Sequence, residues 1–158
     1  ITMMTLGQIS LSVTLLLVRS FKSTPALPLA IFFLANSVIA LGPAVMSLNP
    51  DCYTIYIAFV FPALFSLSPA LWQYIEGLTS GDKWRLKVSH LVHFALFGFG
   101  LIITVLVLCL SQPMREAIFI AGTDVQSGLP LVVVVSIFIA MLLWLGQSIV
   151  TVVRIIHR

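Results

Sequence analysis

Seven of the eight Lys and Arg residues fall in alternate gaps between apolar stretches, and that alternation leaves few folds open. The stretches run about 2–18, 26–48, 53–71, 91–111 and 130–153, each near the ~20 apolar residues with which a helix crosses a bilayer. Arg19 and Lys22 follow the first stretch, Lys83, Arg85 and Lys87 the third, and Arg154 and Arg158 the fifth. The second and fourth gaps hold only Arg115, beside the acids Asp51, Glu116 and Asp124. Cytoplasmic loops of membrane proteins carry the excess of Lys and Arg, so the face with seven cations is read as cytoplasmic. The expected architecture is an all-α membrane protein, a single five-helix transmembrane bundle over 1–158. Its N-terminus is outside and its C-terminus is in the cytoplasm.

The solvent follows from composition. The chain is 60% hydrophobic and 8% charged, against the about 25% charged residues of a soluble domain. Runs such as Leu131–Val135 and Leu101–Leu108 are apolar on every side, which excludes a barrel strand with its period of two. The net charge of +3 belongs to the cytoplasmic face, where it meets anionic head groups, and membrane lipid is the first expected partner. The first stretch has its cations after it and not before it, the reverse of a secretory signal.

Local signals refine the picture. Gln8 and Ser12 are four apart and share a helix face, where lipid offers no hydrogen-bond partner. Gly42-Pro43 predicts a kink in the second helix. Asn49-Pro50-Asp51 reads as an external turn. Tyr53 and Tyr56 at one end of the third helix, and Trp72 and Tyr74 at the other, suit interfacial aromatic anchors. Pro113–Ala121 reads as a short interfacial helix, with Met114, Ile118 and Phe119 dipping into the head-group boundary.

Chemistry-bearing residues are few. None of the five acids sits at mid-depth, which argues against a proton-coupled pump or transporter. No nucleophile elbow, Walker loop, zinc-protease helix or dinucleotide fingerprint occurs, so no enzyme activity, catalytic residue, bound metal or cofactor is expected. His90 and His93 share a face at i, i+3, but a metal site would need further ligands, and interfacial hydrogen bonding accounts for both. Cys52 and Cys109 lie near the external ends of consecutive helices, as a disulfide pair or as two small buried apolar residues. Asn36, near mid-membrane, is either a ligand contact or an interhelical hydrogen bond.

One stretch carries a resemblance. Ser68-Pro-Ala-Leu-Trp-Gln-Tyr-Ile-Glu-Gly-Leu-Thr79, then a basic linker and His90-Leu-Val-His93-Phe94, resembles the N-terminal membrane region of bacterial membrane-bound AraC-type transcriptional regulators. His93-Phe94-Ala95-Leu96-Phe97 departs from the family pattern in having Leu96 where proline is frequent. The resemblance covers about 68–97 and implies a signal-sensing domain in the bacterial inner membrane, a fragment of a longer protein. Nucleic acid would then be bound only through a cytoplasmic helix-turn-helix region outside 1–158. The signal or partner protein is unspecified, and self-association into a homo-oligomer is compatible with the bundle. The alternative is a small membrane subunit or carrier, acting through helix packing or passage of a neutral solute.

Overall fold

A computed structural model describes residues 12–14, 26–80, 92–121 and 128–157. All regular structure among the described residues is helical. The elements are α1 (Ala26–Ala40), α2 (Gly42–Leu48), α3 (Pro50–Ser80), a 3-10 turn (Val92–Phe94), α4 (Ala95–Leu108), α5 (Gln112–Glu116), a π-helical turn (Ala117–Ala121) and α6 (Leu129–Ile156). Three runs are long and apolar enough to cross a membrane, namely Ala26–Leu48, Cys52–Ser80 and Leu129–Ile156. Val92–Leu108 is apolar but shorter, about 25 Å at the usual helical rise. Of the first expected span, Ser12–Thr14 is helical, and the rest lies outside the described residues.

Local chemistry explains where these helices begin and break. The turn expected at Asn49-Pro50-Asp51 shrinks to one residue. Asn49 is extended (φ −155°, ψ 102°), and its Oδ1 accepts the Cys52 N–H at 3.3 Å. Pro50 takes the first helical position, where a missing N–H costs nothing. From there α3 runs 31 residues without interruption, through Pro62 and Pro69 and past the expected end near residue 71. At the kink expected at Gly42-Pro43, α1 ends at Ala40 and α2 starts at Gly42, while Leu41 between them keeps right-handed helical dihedrals and its N–H bonds Ser37 O at 3.2 Å. Gly128 opens α6 at φ 78°, ψ −159°, a conformation essentially confined to glycine.

Contacts across the helices set the topology. Gly100 lies on Pro62, and Thr104 bonds to Ala58, so α4 runs antiparallel to α3. Ser68 bonds Thr151, and Trp72 meets Arg154, so α6 runs parallel to α3. Tyr56 reaches Val38 and Ile39 near the end of α1, while Gln73 shares a cleft with Leu27 and Pro28 near its start, so α1 is antiparallel to α3. The start of α1, the end of α3, His93 and Arg154 therefore gather at one end. Cys52, Cys109, Arg115 and Gly128 lie at the other.

α3 is the axis on which α1, α2, α4 and α6 all pack. The core forms around Ala58 and Phe65 of α3, Ile103 and Val107 of α4, Leu110, and Val133 and Ala140 of α6. Outward, α6 buries only Val133, Ala140 and Thr151, and leaves Phe138 and Ile149 each 64% exposed. In water such a face would be a large exposed apolar patch, and hydrocarbon removes that penalty. The same solvent removes the hydrophobic drive between helices, so close packing and interhelical hydrogen bonds must hold them together.

The α3–α4 contact shows how. A Cβ built on Gly100 would stand 2.9 Å from Pro62 Cα and 2.9 Å from Phe65 Cδ2, so only glycine lets these backbones meet. Pro62 has no N–H, which leaves the Ala58 carbonyl without its helical donor. Thr104 Oγ1 supplies one at 2.7 Å. Thr104→Val should therefore lower stability by about 1 kcal/mol, and Thr104→Ser should restore most of it. Gly100→Val should cost about 1–3 kcal/mol through overpacking. Reversible unfolding in mixed detergent micelles measures all three.

Candidate functional site

An open cleft of about 580 Å³ is floored by α3 and walled by α1 and α4. From α1 come Leu27, Pro28, Ile31, Leu34, Ala35 and Val38. From α3 come Phe59, Pro62, Ala63, Ser66 and Gln73, and Phe94, Phe97 and Leu101 close the far side. The cleft exists because α1 and α4 both pack on α3, with Ala35 and Ala63 too small to fill the gap between them. Its volume falls in the ~300–1,000 Å³ range of small-molecule sites. Its polar side chains are Ser66 and Gln73, seven residues apart on one face of α3. Ser66 Oγ donates to the Ala63 carbonyl at 2.7 Å, and Gln73 is 1% exposed to solvent.

A second cluster lies at the end shared by His93 and Arg154. Ser68 Oγ donates to Thr151 Oγ1 at 3.0 Å, and the Arg154 guanidinium sits 5.7 Å from the Trp72 ring centroid. Gln147 Nε2 donates to the His93 carbonyl at 2.9 Å. These three contacts tie α6 to α3 and to the 3-10 turn that precedes α4. Trp72, His93, Gln147, Thr151 and Arg154, with Pro69 and Val150, line a small cavity of about 40 Å³, roomy enough for a water. Gln147 Oε1 is buried without a protein partner, so a water there would be bound by a real acceptor.

Several residues singled out from sequence sit differently from expectation. Asn36 Nδ2 donates to Phe32 O at 2.9 Å within its own helix, so the amide nitrogen's bond is intrahelical. Ser37 Oγ does the same to Phe33 O at 2.7 Å. The polar contacts that do cross between helices come from residues with weaker sequence signals. Thr104 and Tyr56 are the main cases, with Tyr56 Oη donating to Val38 O and to Ile39 O, the latter at 3.2 Å. The signal that would have found both is a proline four residues beyond a carbonyl. Pro62 frees Ala58 O, and Pro43 frees Ile39 O.

Trp72, expected as an interfacial anchor, is buried at 9% exposure beneath Arg154. Ile118 and Phe119 pack inward on the core, with Phe119 6.4 Å from Phe61 between ring centroids, while Met114 and Ile120 face outward. Arg115, the one cation expected outside, has a structural task. Its Nη1 donates to the Leu110 carbonyl at 2.6 Å, two residues past the end of α4, and so holds the chain that leaves that helix.

His93 lines the small cavity, and His90 lies outside the described residues. Among the described residues no three His, Cys, Asp or Glu side chains gather as a metal site. Cys52 and Cys109 come to the same end and to nearly the same level of the α3–α4 pair, as free thiols that are both exposed. Alkylation of the purified protein should add two adducts whether or not reductant is present, and intact mass reads the number.

No family model matches this chain, and no curated protein or solved structure matches it.

Proposed function

We propose that this chain is the signal-sensing membrane domain of a bacterial transcriptional regulator. It crosses the inner membrane five times, with the N-terminus outside and the C-terminus in the cytoplasm. The observation that carries the reading is the pairing of an apolar cleft with a set of polar ties to α6. A signal shifts a protein between states only by binding them unequally. Filling the cleft bears on the spacing of α1 and α4, which touch it from opposite sides. Movement of α4 against α3 then reaches α6 through Gln147–His93, Ser68–Thr151 and Trp72–Arg154. α6 leads to the cationic end of the chain, where a cytoplasmic DNA-binding region would receive the change.

Two facts support this. The stretch that resembles AraC-type membrane regions contains Ser68, Trp72 and His93, and these residues make the ties to α6. The register also agrees with the charge pattern. The start of α1, the end of α3 and the end of α6 share one end with Arg154, and Arg115 lies at the other.

The gene tests the reading most directly. The frame downstream of the Arg158 codon should encode a helix-turn-helix region, and a frame that closes without one would end the proposal. Orientation has its own test. In a background lacking Cys52 and Cys109, a cysteine placed beside Asp124 should react with an impermeant maleimide on intact cells. One placed beside Trp84 should react only after lysis, and the opposite result would invert the topology.

A further inference from the structure

We infer that the small cavity between α3, α6 and the 3-10 turn before α4 is a binding site for water, and that the bound molecule is part of the joint that holds α6. It donates to Gln147 Oε1 and accepts the hydroxyl proton of Thr151. The acceptor comes first. Gln147 Nε2 donates to the His93 carbonyl at 2.9 Å. A carbonyl oxygen only accepts, so that bond fixes which end of the amide is nitrogen and which is oxygen. Oε1 is the atom left over, and it is buried with no protein donor. A buried acceptor without a partner is costly, the more so in surroundings of low dielectric, so the fold has a strong use for a donor at this point.

A second group with spare capacity stands one turn away. Gln147 and Thr151 are four residues apart on α6, so their side chains are neighbours on one helix face. Thr151 Oγ1 accepts from Ser68 Oγ at 3.0 Å, which leaves its own proton to place. Thr151 is 8% exposed, so that proton needs a partner inside the fold. Both residues line the cavity, whose volume of about 40 Å³ exceeds the about 10–15 Å³ that a water requires. The His93 ring belongs to the same lining and offers a third contact, the usual number for a buried water. Electrostatics select the occupant. Arg154 in the lining disfavours a cation, and the bare Gln147 Oε1 disfavours an anion. What remains is a small neutral molecule that both donates and accepts. Water in the joint lets α6 shift against α3 and the turn without stranding Gln147 Oε1, because a bridging molecule re-forms its bonds in the new position. The inference stands apart from the sensing reading and holds whichever activity the domain has.

The test uses the full chain, isotope-labelled and reconstituted in phosphatidylcholine bilayers. Solid-state NMR reads the transfer of magnetisation from water to individual side chains. Trp144 is the internal control. Its indole Nε1 is also buried, it precedes Gln147 by three residues on the same helix, and it does not line the cavity. Transfer to the Gln147 and Thr151 side chains should be at least about threefold faster than to the Trp144 ring. Gln147→Met, close in length and without the amide, should slow transfer at Thr151 to the Trp144 rate. Thr151→Val should slow transfer at Gln147, and it serves should the first variant fail to fold. Ser148→Ala, outside the lining, should leave both rates unchanged. Transfer at Gln147 as slow as at Trp144 would overturn the inference, as it would if the Arg154 guanidinium turned in to donate to Oε1. Unchanged transfer at Thr151 in a folded Gln147→Met protein would overturn it too, since other groups would then hold the water.

Discussion

A hydroxyl on one helix satisfying a carbonyl that proline has freed on another is the interaction on which this bundle depends. Ala58 O lacks its helical donor because residue 62 is proline, and Thr104 Oγ1 fills the gap. Ile39 O lacks its donor because residue 43 is proline, and Tyr56 Oη lies 3.2 Å from it while bonding more closely to the adjacent Val38 O. In water such carbonyls would be hydrated at little cost. In hydrocarbon each would stand unsatisfied without a donor from a neighbouring helix. The repair also specifies which helices are neighbours and in what register. Gly100 completes the device, since the hydroxyl reaches Ala58 only because the backbones approach at Pro62 without an intervening Cβ.

The placement of polar groups follows from the same constraint. Where a side chain can satisfy itself locally it does so, as Asn36, Ser37 and Ser66 do on their own helices. Cross-helix bonds then concentrate at the proline repairs and at the cationic end. There Ser68–Thr151, Gln147–His93 and Trp72–Arg154 join α6 to the rest. Between the repairs and the ties lies the cleft, bordered by α1, α3 and α4. The tight contact of Gly100 on Pro62 fixes one of its borders.

Much of the layout was legible in the residues. The limits of the second and fifth stretches match α1–α2 and α6 to within a few residues, because a long apolar run has few alternatives to a helix in lipid. The irregularity at Gly42-Pro43 was legible because proline removes a helical donor. Other boundaries were not. α3 holds Pro62 and Pro69 as expected but runs on to Ser80 past the expected end near residue 71, and Asn49 turns from a loop residue into a cap through its side-chain bond to Cys52 N–H. Asn36 drew attention as the most polar group at mid-depth, yet its amide nitrogen stays at home, while Thr104 carries the cross-helix bond. Polarity of a side chain says how much it needs a partner. Where the partner lies depends on which carbonyl a neighbouring proline has left free.

The sequence by itself determined that this chain is helical and that lipid must solvate it, because runs that are apolar on every side leave the backbone no other way to satisfy its hydrogen bonds. It also determined that the cations lie in alternate gaps, which is a property of order along the chain. Only the tertiary structure decided that α3 is the axis, that Gly100 meets Pro62, and that an apolar cleft opens beside that contact. These depend on distances of a few ångströms between residues some forty positions apart. In a solvent as apolar as the side chains, such distances are set by steric fit and by individual hydrogen bonds, which no count of hydrophobic residues contains.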